Sequence, residues 1–412
     1  MEGFKISLNL NHENLTEDQH LILNLANGYS NDRKLKKLTE EYIQITDGDK
    51  KFVELKEKTK KEVSERLAKE CDSFGKEKDI IYVDGVFDIM HSGHFNAIRQ
   101  AKKLGDTLIV GVNIDEEVQK VKGPTLMNDE ERTLLADSVK WVDRTETLTP
   151  YTTTASFLNK IGATHAAHGD DIAVNEKGEN AYQELIDAGK FKIFKRTEGI
   201  STTNLLGRLM MIGSSENDNK FYKPLVGNYL PTGWRFKEFC NDKNPKSDDV
   251  IVYIDGAFDC LHPGHIKALK LAKEKGTFVY VGLYDDGACE QVYGKSNPVM
   301  GLMERASNLL SLKYVDDIVI GVPRKVNEDM LKSLGIHKVL AEEIYNQTEN
   351  DQYEAPKKMG ILEYFNVTPK LNNQFFIDRI NKNKEVFIDK YMKKSKKEEE
   401  YEKNKSYNKK EV

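Results

Sequence analysis

A chain of 412 residues, 39% hydrophobic and 31% charged, is long enough for two or three packed domains and too polar for a membrane protein. Its 62 Lys and Arg nearly balance 67 Asp and Glu; a net charge of −5 gives no global attraction for nucleic acid or an acidic membrane, so no nucleic-acid partner is expected. No integral membrane segment is expected either, since no stretch reaches the ~20 apolar residues of a membrane helix and the N-terminus lacks a basic region followed by an apolar run.

Residues 1–78 are polar and helix-prone, with segments such as KKLTEEY and KEKTKKEVSERLAKE, and read as a solvated helical extension. Ile80–Asp84 is a short β-rich run closed by Gly85. From His94 onward, Ala97, Ile98, Ala101 and Leu104 fall at helical spacing, and Leu108–Val112 is a second buried strand. Asn128 with Glu131 three residues later has the pattern of a capping box. Thr164–His168 and Phe191–Phe194 read as further strands. Alternation of strand and helix predicts a parallel sheet covered on both faces, a Rossmann-like doubly wound α/β fold.

The stretch Asp84–His94, DGVFDIMHSGH, returns 171 residues later as DGAFDCLHPGH (Asp255–His265), with seven of eleven positions identical. Chance recurrence is on the order of 10⁻⁹ per start point, so the chain carries a domain duplication. The likeness continues: LIVGVNIDEE (108–117) faces FVYVGLYDDG (278–287), and KWVD (140–143) faces KYVD (313–316). Two tandem domains are expected, 79–212 and 250–392, joined by a Gly-, Pro-, Asn- and Ser-bearing linker, 213–249. The tail 393–412 has mixed charge and almost no apolar content, and is expected to be disordered. Cys71, Cys240, Cys260 and Cys289 form no CxxC pair, so no zinc site is expected; scattered thiols suit a reducing compartment, and the protein reads as cytoplasmic.

DGVFDIMHSGH begins where the first strand ends, and open α/β sheets bind ligands at the carboxyl ends of their strands. Gly85 lets the chain turn and approach a ligand closely. His91 and His94, three apart at a helix start, share one face, where two imidazoles and the helix N–H groups suit phosphate oxygens. An HxxH pair alone reads equally as a metal or packing pair; the preceding strand, the GxFD turn and the duplication favour phosphate. In RTEGISTT (Arg196–Thr203), Arg196 supplies a fork of donors, Gly199 permits close approach, and Ser201 and Thr202 are N-cap types. Lys122 and, more weakly, Lys120 lie on an expected loop facing the strand ends. Arg132 reads on its own as a surface charge paired with Asp129 or Glu130. His168-Gly169-Asp170 closes a strand, and Asp115 follows another as a helix cap.

The HxGH signature after a G-x-F-D turn resembles the nucleotidyltransferase superfamily that includes the cytidylyltransferases. RTEGISTT resembles the second signature of the phosphocholine, phosphoethanolamine and glycerol-3-phosphate cytidylyltransferases. The resemblance covers residues 79–210 closely and 250–380 more loosely. It implies CTP as a substrate, bound by Gly85, Val86, Phe87, Asp88, His91, His94, Arg132, His168, Gly169, Asp170, Arg196, Gly199, Ile200, Ser201 and Thr202. It implies that Lys122 contacts the α-phosphate and the second substrate's phosphate, that Arg132 lies near the nucleotide, and that Asp170 faces the cytosine amine. His91, His94, Lys122 and Arg196 are then the catalytic charges, and Mg²⁺ accompanies the triphosphate.

Tandem domains characterise the phosphoethanolamine enzymes of this family, whereas phosphocholine enzymes follow one domain with a lipid-sensing amphipathic helix that is not evident here. HGDDIAVNEKGENAYQELIDAGKF also resembles the phosphoethanolamine group. The resemblance therefore implies phosphoethanolamine as second substrate and CDP-ethanolamine as product; a phosphocholine enzyme and a non-catalytic CTP-binding scaffold are the alternatives. It also implies that the repeats pack as an intramolecular pseudo-dimer. The second copy keeps Ala257, Phe258, His262 and His265, so a nucleotide-shaped cleft is expected there. Ala341-Glu342-Glu343 stands where the first copy has His168-Gly169-Asp170, Thr368 falls opposite Arg196, and Leu371-Asn372-Asn373 replaces the Ser-Thr-Thr cap. Lys295 survives in a shifted register against Lys122. The second domain reads as degenerate.

Overall fold

The computed structural model describes residues 78–171, 180–197, 200–212, 236–241, 243–294, 297–346, 351–367 and 373–405, with side chains to residue 400. The expected extension 1–78 lies outside them apart from Lys78, and so does most of the linker. The described elements from Asp79 onward form one compact unit.

The first repeat runs β1 (Ile80–Gly85), α1 (Ser92–Lys102), β2 (Thr107–Asn113), α2 (Asp115–Lys122), α3 (Asp129–Asp137), β3 (Arg144–Thr149), α4 (Ala155–Ile161), β4 (His165–Gly169), α5 (Gln183–Asp187), β5 (Phe191–Phe194) and α6 (Thr202–Ile212). The second runs β6 (Ile251–Gly256), α7 (Pro263–Lys275), β7 (Phe278–Leu283), α8 (Asp286–Tyr293), α9 (Leu302–Leu310), β8 (Asp317–Ile320), α10 (Glu328–Ser333), β9 (Lys338–Glu342), α11 (Glu354–Lys358), β10 (Leu362–Phe365), α12 (Asn373–Lys382) and α13 (Lys384–Lys405).

Both sheets are parallel, ordered β3-β2-β1-β4-β5 and β8-β7-β6-β9-β10. The order reverses direction between β1 and β4, and between β6 and β9, so each repeat has a topological switch point beside the end of its first strand. Register agrees between the copies: Ile81 pairs with His165, and Val252 with Lys338. The central strands are buried on both faces, as parallel strands under helices must be. β3, not foreseen from sequence, is an edge strand; RTETLT is largely exposed and so carries no hydrophobic alternation.

One continuous apolar core spans the repeats, from Ile81 and Phe95 through Leu269 and Val281 to Phe376 and Phe387. The halves meet through α3 against α7 and α1 against α9. At their contact the Lys140 N–H donates to Ser311 O and the Lys313 N–H to Ser138 O, both at 2.9 Å. These exchanged bonds join equivalent positions of the two copies. The far end of the linker is tied down as well: Phe239 is buried, and Lys140 donates to Phe239 O and to Asn241.

The tail departs from expectation. In place of a disordered segment from residue 393, α13 continues to Lys405. Its first half carries the apolar residues the tail lacks, Phe387 and Tyr391, both buried, and these dock the helix so that the charged part follows in register.

Candidate active site

The turn that leaves β1 is held by strain and by clamps. Phe87 and Ile89 adopt left-handed conformations (φ 51° and 43°), and Phe258 and Cys260 do so at the matching positions of the second repeat (φ 47° and 42°). Such conformations cost on the order of 1–3 kcal/mol each and persist only where the surroundings enforce them. Here the Asp88 carboxylate accepts from the Leu126 and Met127 N–H groups at 2.9 and 3.0 Å. Gly85 does not have a positive φ, so the turn expected there does not draw on glycine's conformational freedom. A Cβ there would sit 3.1 Å from the Phe87 ring, so its value is close approach.

The turn delivers His91 to the N-cap of α1. Its Nδ1 accepts from the Gly93 N–H at 3.1 Å, which leaves the ring proton on Nε2. A side chain at Gly93 would strike the His91 ring at 2.9 Å. His91 and His94 lie ring against ring, with centroids 4.0 Å apart. His91 Nε2 and His94 Nδ1 are buried and have no hydrogen-bond partner. Native proteins rarely leave such atoms unpaired without a reason, and a missing ligand is one. Burial holds His91 well below the usual histidine range; burial, with Lys122, Arg196 and Lys394 close by, brings His94 down to about 3. Both imidazoles are therefore neutral donors at physiological pH.

These groups open into a cavity of about 360 Å³ at the carboxyl ends of β1 and β4. Gly85, Val86, Phe87 and Asp88 line one side; His168 and Gly169 line another. His168 packs on Tyr182, 5.1 Å between centroids. Lys122, at the last residue of α2 and not on a free loop, lies over the Tyr151 ring at 5.1 Å. Burial lowers its pKa against the pull of Asp84 and Asp171. Arg196, Ile200, Ser201 and Thr202 complete the wall, and Ser201 Oγ caps α6 by accepting from the Asn204 N–H at 3.1 Å. Gly199 lies outside the described residues.

Two expected contacts are placed elsewhere. Arg132 is fully buried and is neither at the cavity nor paired with Asp129 or Glu130. It donates to Val86 O at 2.6 Å, Asn113 O at 2.7 Å and Asp115 Oδ1 at 2.6 Å, so it pins the turn from behind. Arg305 repeats this with Ala257 O, Tyr284 O and Asp286. Asp170 accepts from the Arg196 N–H at 2.8 Å and does not line the cavity; its neighbour Asp171 does, 3.2 Å from the Arg196 guanidinium.

Sequence reasoning passed over Asp84 as a site group. Its carboxylate lines the cavity, accepts from Tyr182 at 2.6 Å and Thr153 at 3.0 Å, and is raised by burial. It also passed over Lys390, Lys394, Lys397 and Glu398 of α13, which close the cavity's remaining side. Their spacing of four, three and one was the available signal, because it places all four on one helical face.

The second repeat keeps the turn and its clamps. Asp259 accepts from the Val299 and Met300 N–H groups, and the His262 and His265 rings stack at 3.7 Å. Ala257 O is engaged by Arg305, and Phe258 packs against His265 at 5.2 Å. Among the described residues no cation stands where the first copy has Arg196. The helices after the last strands begin at Thr202 and Asn373, an offset of 171, which sets Val367, not Thr368, opposite Arg196, and Asn372-Asn373-Gln374, not Leu371-Asn372-Asn373, opposite the Ser-Thr-Thr cap. Val367 is apolar and buried. Asn373 donates to the Asp259 carboxylate at 2.6 Å, inside the turn. Thr368, Leu371, Asn372 and Lys295 lie outside the described residues.

Residues 82–222 and 253–391 each match the family model described as cytidylyltransferase-like. The chain is 38% identical over 327 residues to an ethanolamine-phosphate cytidylyltransferase of Dictyostelium discoideum, covering 74% of this chain and 91% of the relative. It is 35% identical over 361 residues to the enzyme of that name from Arabidopsis thaliana, covering 79% and 86%. A choline-phosphate cytidylyltransferase A of Mus musculus is 41% identical over only 133 residues, 32% of this chain and 36% of that one. With both repeats matched and these relatives covered over most of their length, the chain belongs to the cytidylyltransferase-like family, among the ethanolamine-phosphate cytidylyltransferases.

Proposed function

We infer that the protein joins CTP to phosphoethanolamine, releasing pyrophosphate and CDP-ethanolamine, and that the first repeat carries the reaction. The observation that supports this site is the pair of unpartnered imidazole nitrogens facing Lys122 and Arg196 across one cavity. No side-chain nucleophile is required. A phosphate oxygen of phosphoethanolamine, already ionised at neutral pH, forms a bond to the α-phosphorus of CTP. The bond from that phosphorus to the bridging oxygen breaks, and pyrophosphate leaves with the electron pair on the opposite side. His91 and His94 donate to oxygens that gain charge, while Lys122 and Arg196 neutralise it; positioning and charge compensation together account for the catalysis.

Mg²⁺ would arrive with CTP, because among the described residues no group of three His, Cys, Asp or Glu side chains stands ready to hold it. Bound there it would offset phosphate charge. Asp84 and Asp171, though engaged by Tyr182, Thr153 and Arg196, are carboxylates of the lining that could also accept from an ammonium head group. We read the exchanged contacts between equivalent halves as an intramolecular pseudo-dimer, and the second repeat as a support for the first. The scattered cysteines favour a cytoplasmic setting; no described helix is long and apolar enough to cross a membrane.

The test is a panel of phosphoethanolamine, phosphocholine and glycerol-3-phosphate with CTP and purified full-length protein. An ammonium offers three N–H donors and a trimethylated head none, so kcat/KM should favour phosphoethanolamine over phosphocholine by at least about tenfold. Equal or reversed values would overturn the substrate assignment, and no product from any of the three would overturn the activity.

A further inference from the structure

Helix α13 ends the second half of the chain, yet its face bearing Lys390, Lys394, Lys397 and Glu398 lines the cavity of the first repeat. Apolar packing and local bonds dock it. Phe387 is buried, and Tyr391 lies so close to Gly207 of α6 that a Cβ there would sit 2.7 Å from its ring. Lys390 Nζ donates to Pro124 O, in the turn that follows Lys122. Ser201 Oγ donates to Glu398 at 3.1 Å. Lys394 takes no part in this docking.

The charges around it do not balance. Asp84 is engaged by Tyr182 and Thr153, Asp88 by two backbone amides, Asp171 by Arg196, and Glu398 by Ser201 and Arg196. Among the described residues neither Lys122 nor Lys394 has a carboxylate within ion-pair distance, and Lys390 meets a carbonyl and the Phe387 ring but no carboxylate. Four lysines, Lys122, Lys390, Lys394 and the more exposed Lys397, thus line one concave space. Burial first, then their mutual repulsion, brings Lys390 and Lys394 down to about 8. Crowded cations of this kind are unfavourable in the empty protein and become favourable when a polyanion enters. His91, His94 and Arg196 line the same cavity and can donate to phosphate oxygens.

We propose that Lys394, with Lys390 holding the Lys122 turn, binds the polyphosphate end of the nucleotide, so that the last helix of the chain completes the active site of the first repeat. This rests on the reaction assigned above. It gives the second repeat a task that needs no chemistry of its own, which is to carry α13 to the first cavity. Lys394 is then a ligand-contacting residue and Lys390 a positioning one.

The test uses full-length protein and calorimetric titration with inorganic pyrophosphate, CTP and CMP. Loss of one charge-assisted contact to phosphate should weaken pyrophosphate and CTP about tenfold in Lys394→Gln and leave CMP within about twofold. Lys394→Arg should bind pyrophosphate nearly as the parent does, and Lys390→Gln should weaken CTP less than Lys394→Gln. Melting curves establish that each variant is folded; should Lys394→Gln fail that check, Lys394→Met is titrated in its place. Unchanged or tighter pyrophosphate binding in the folded charge-loss variant would overturn the proposal. A parent protein that binds pyrophosphate through Lys394 but makes no CDP-ethanolamine would overturn the assigned reaction and leave this site standing.

Discussion

Replacing Arg132 by Met separates support of the turn from contact with the nucleotide. The guanidinium is wholly buried, and its loss orphans Val86 O and Asn113 O. At about 1–3 kcal/mol for each of the two buried carbonyls left unpaired, the cost is about 2–6 kcal/mol. The ion pair with Asp115 adds little, because that carboxylate is 37% exposed and water can take over. For a unit of this size the unfolding midpoint should fall by roughly 3–9 °C. Turnover should fall too, because the released carbonyl belongs to the strained turn that sets His91. Arg305→Met is the internal control. It orphans Ala257 O, Tyr284 O and Met300 O in the second repeat, so it should destabilise at least as much while kcat well below the transition stays near the parent value. Differential scanning calorimetry and initial rates measure both. An Arg132→Met protein with the parent's midpoint but a tenfold higher KM for CTP would refute the support role and return Arg132 to the nucleotide.

Three further outcomes follow from the same geometry. His91→Asn keeps a residue type that caps helices but loses the Nε2 donor, so stability should hold within about 1 kcal/mol while kcat falls about 10²-fold; near-parent turnover would remove His91 from the mechanism. The KM for CTP should rise with pH through about 8, because Lys390 and Lys394 lose the protons that attract the triphosphate as pH passes their values in the empty protein. A pH-independent KM between 7 and 9.5 would contradict this, and Lys394→Gln should flatten the profile. Gly93→Ala should cost turnover, because its methyl would meet the His91 ring at 2.9 Å and Ile200 at 3.2 Å and must displace one of them; an unchanged kcat would show that the imidazole tolerates the shift.

Much of the site was legible because its signals are local. The strand closed by Gly85, the shared face of His91 and His94 and the cap at Ser201 each depend on residues within one turn of one another, and a duplicated eleven-residue segment is visible without any structure. Contacts set by tertiary distance were not legible. Arg132 sits on a helix whose sequence suits a surface pair, and only the fold brings it to Val86, 46 positions away. The strain at Phe87 and Ile89 has no signature in residue type, since both would ordinarily avoid that backbone region. β3 is polar because it is an edge. Helix α13 was misread because lysines at its cavity face look like solvated charge until Phe387 and Tyr391 are seen to anchor them.

The central claim is that one repeat performs the reaction and the other supports it, and it is tested most directly by labelled CDP-ethanolamine formation from CTP and phosphoethanolamine in full-length His94→Ala and His265→Ala proteins. His94→Ala should lower turnover by at least about 10²-fold, the scale for one preorganised donor, while His265→Ala, from the copy with buried Val367 opposite Arg196, should retain most of it. Equal loss in the two variants, with both proteins folded, would contradict the account.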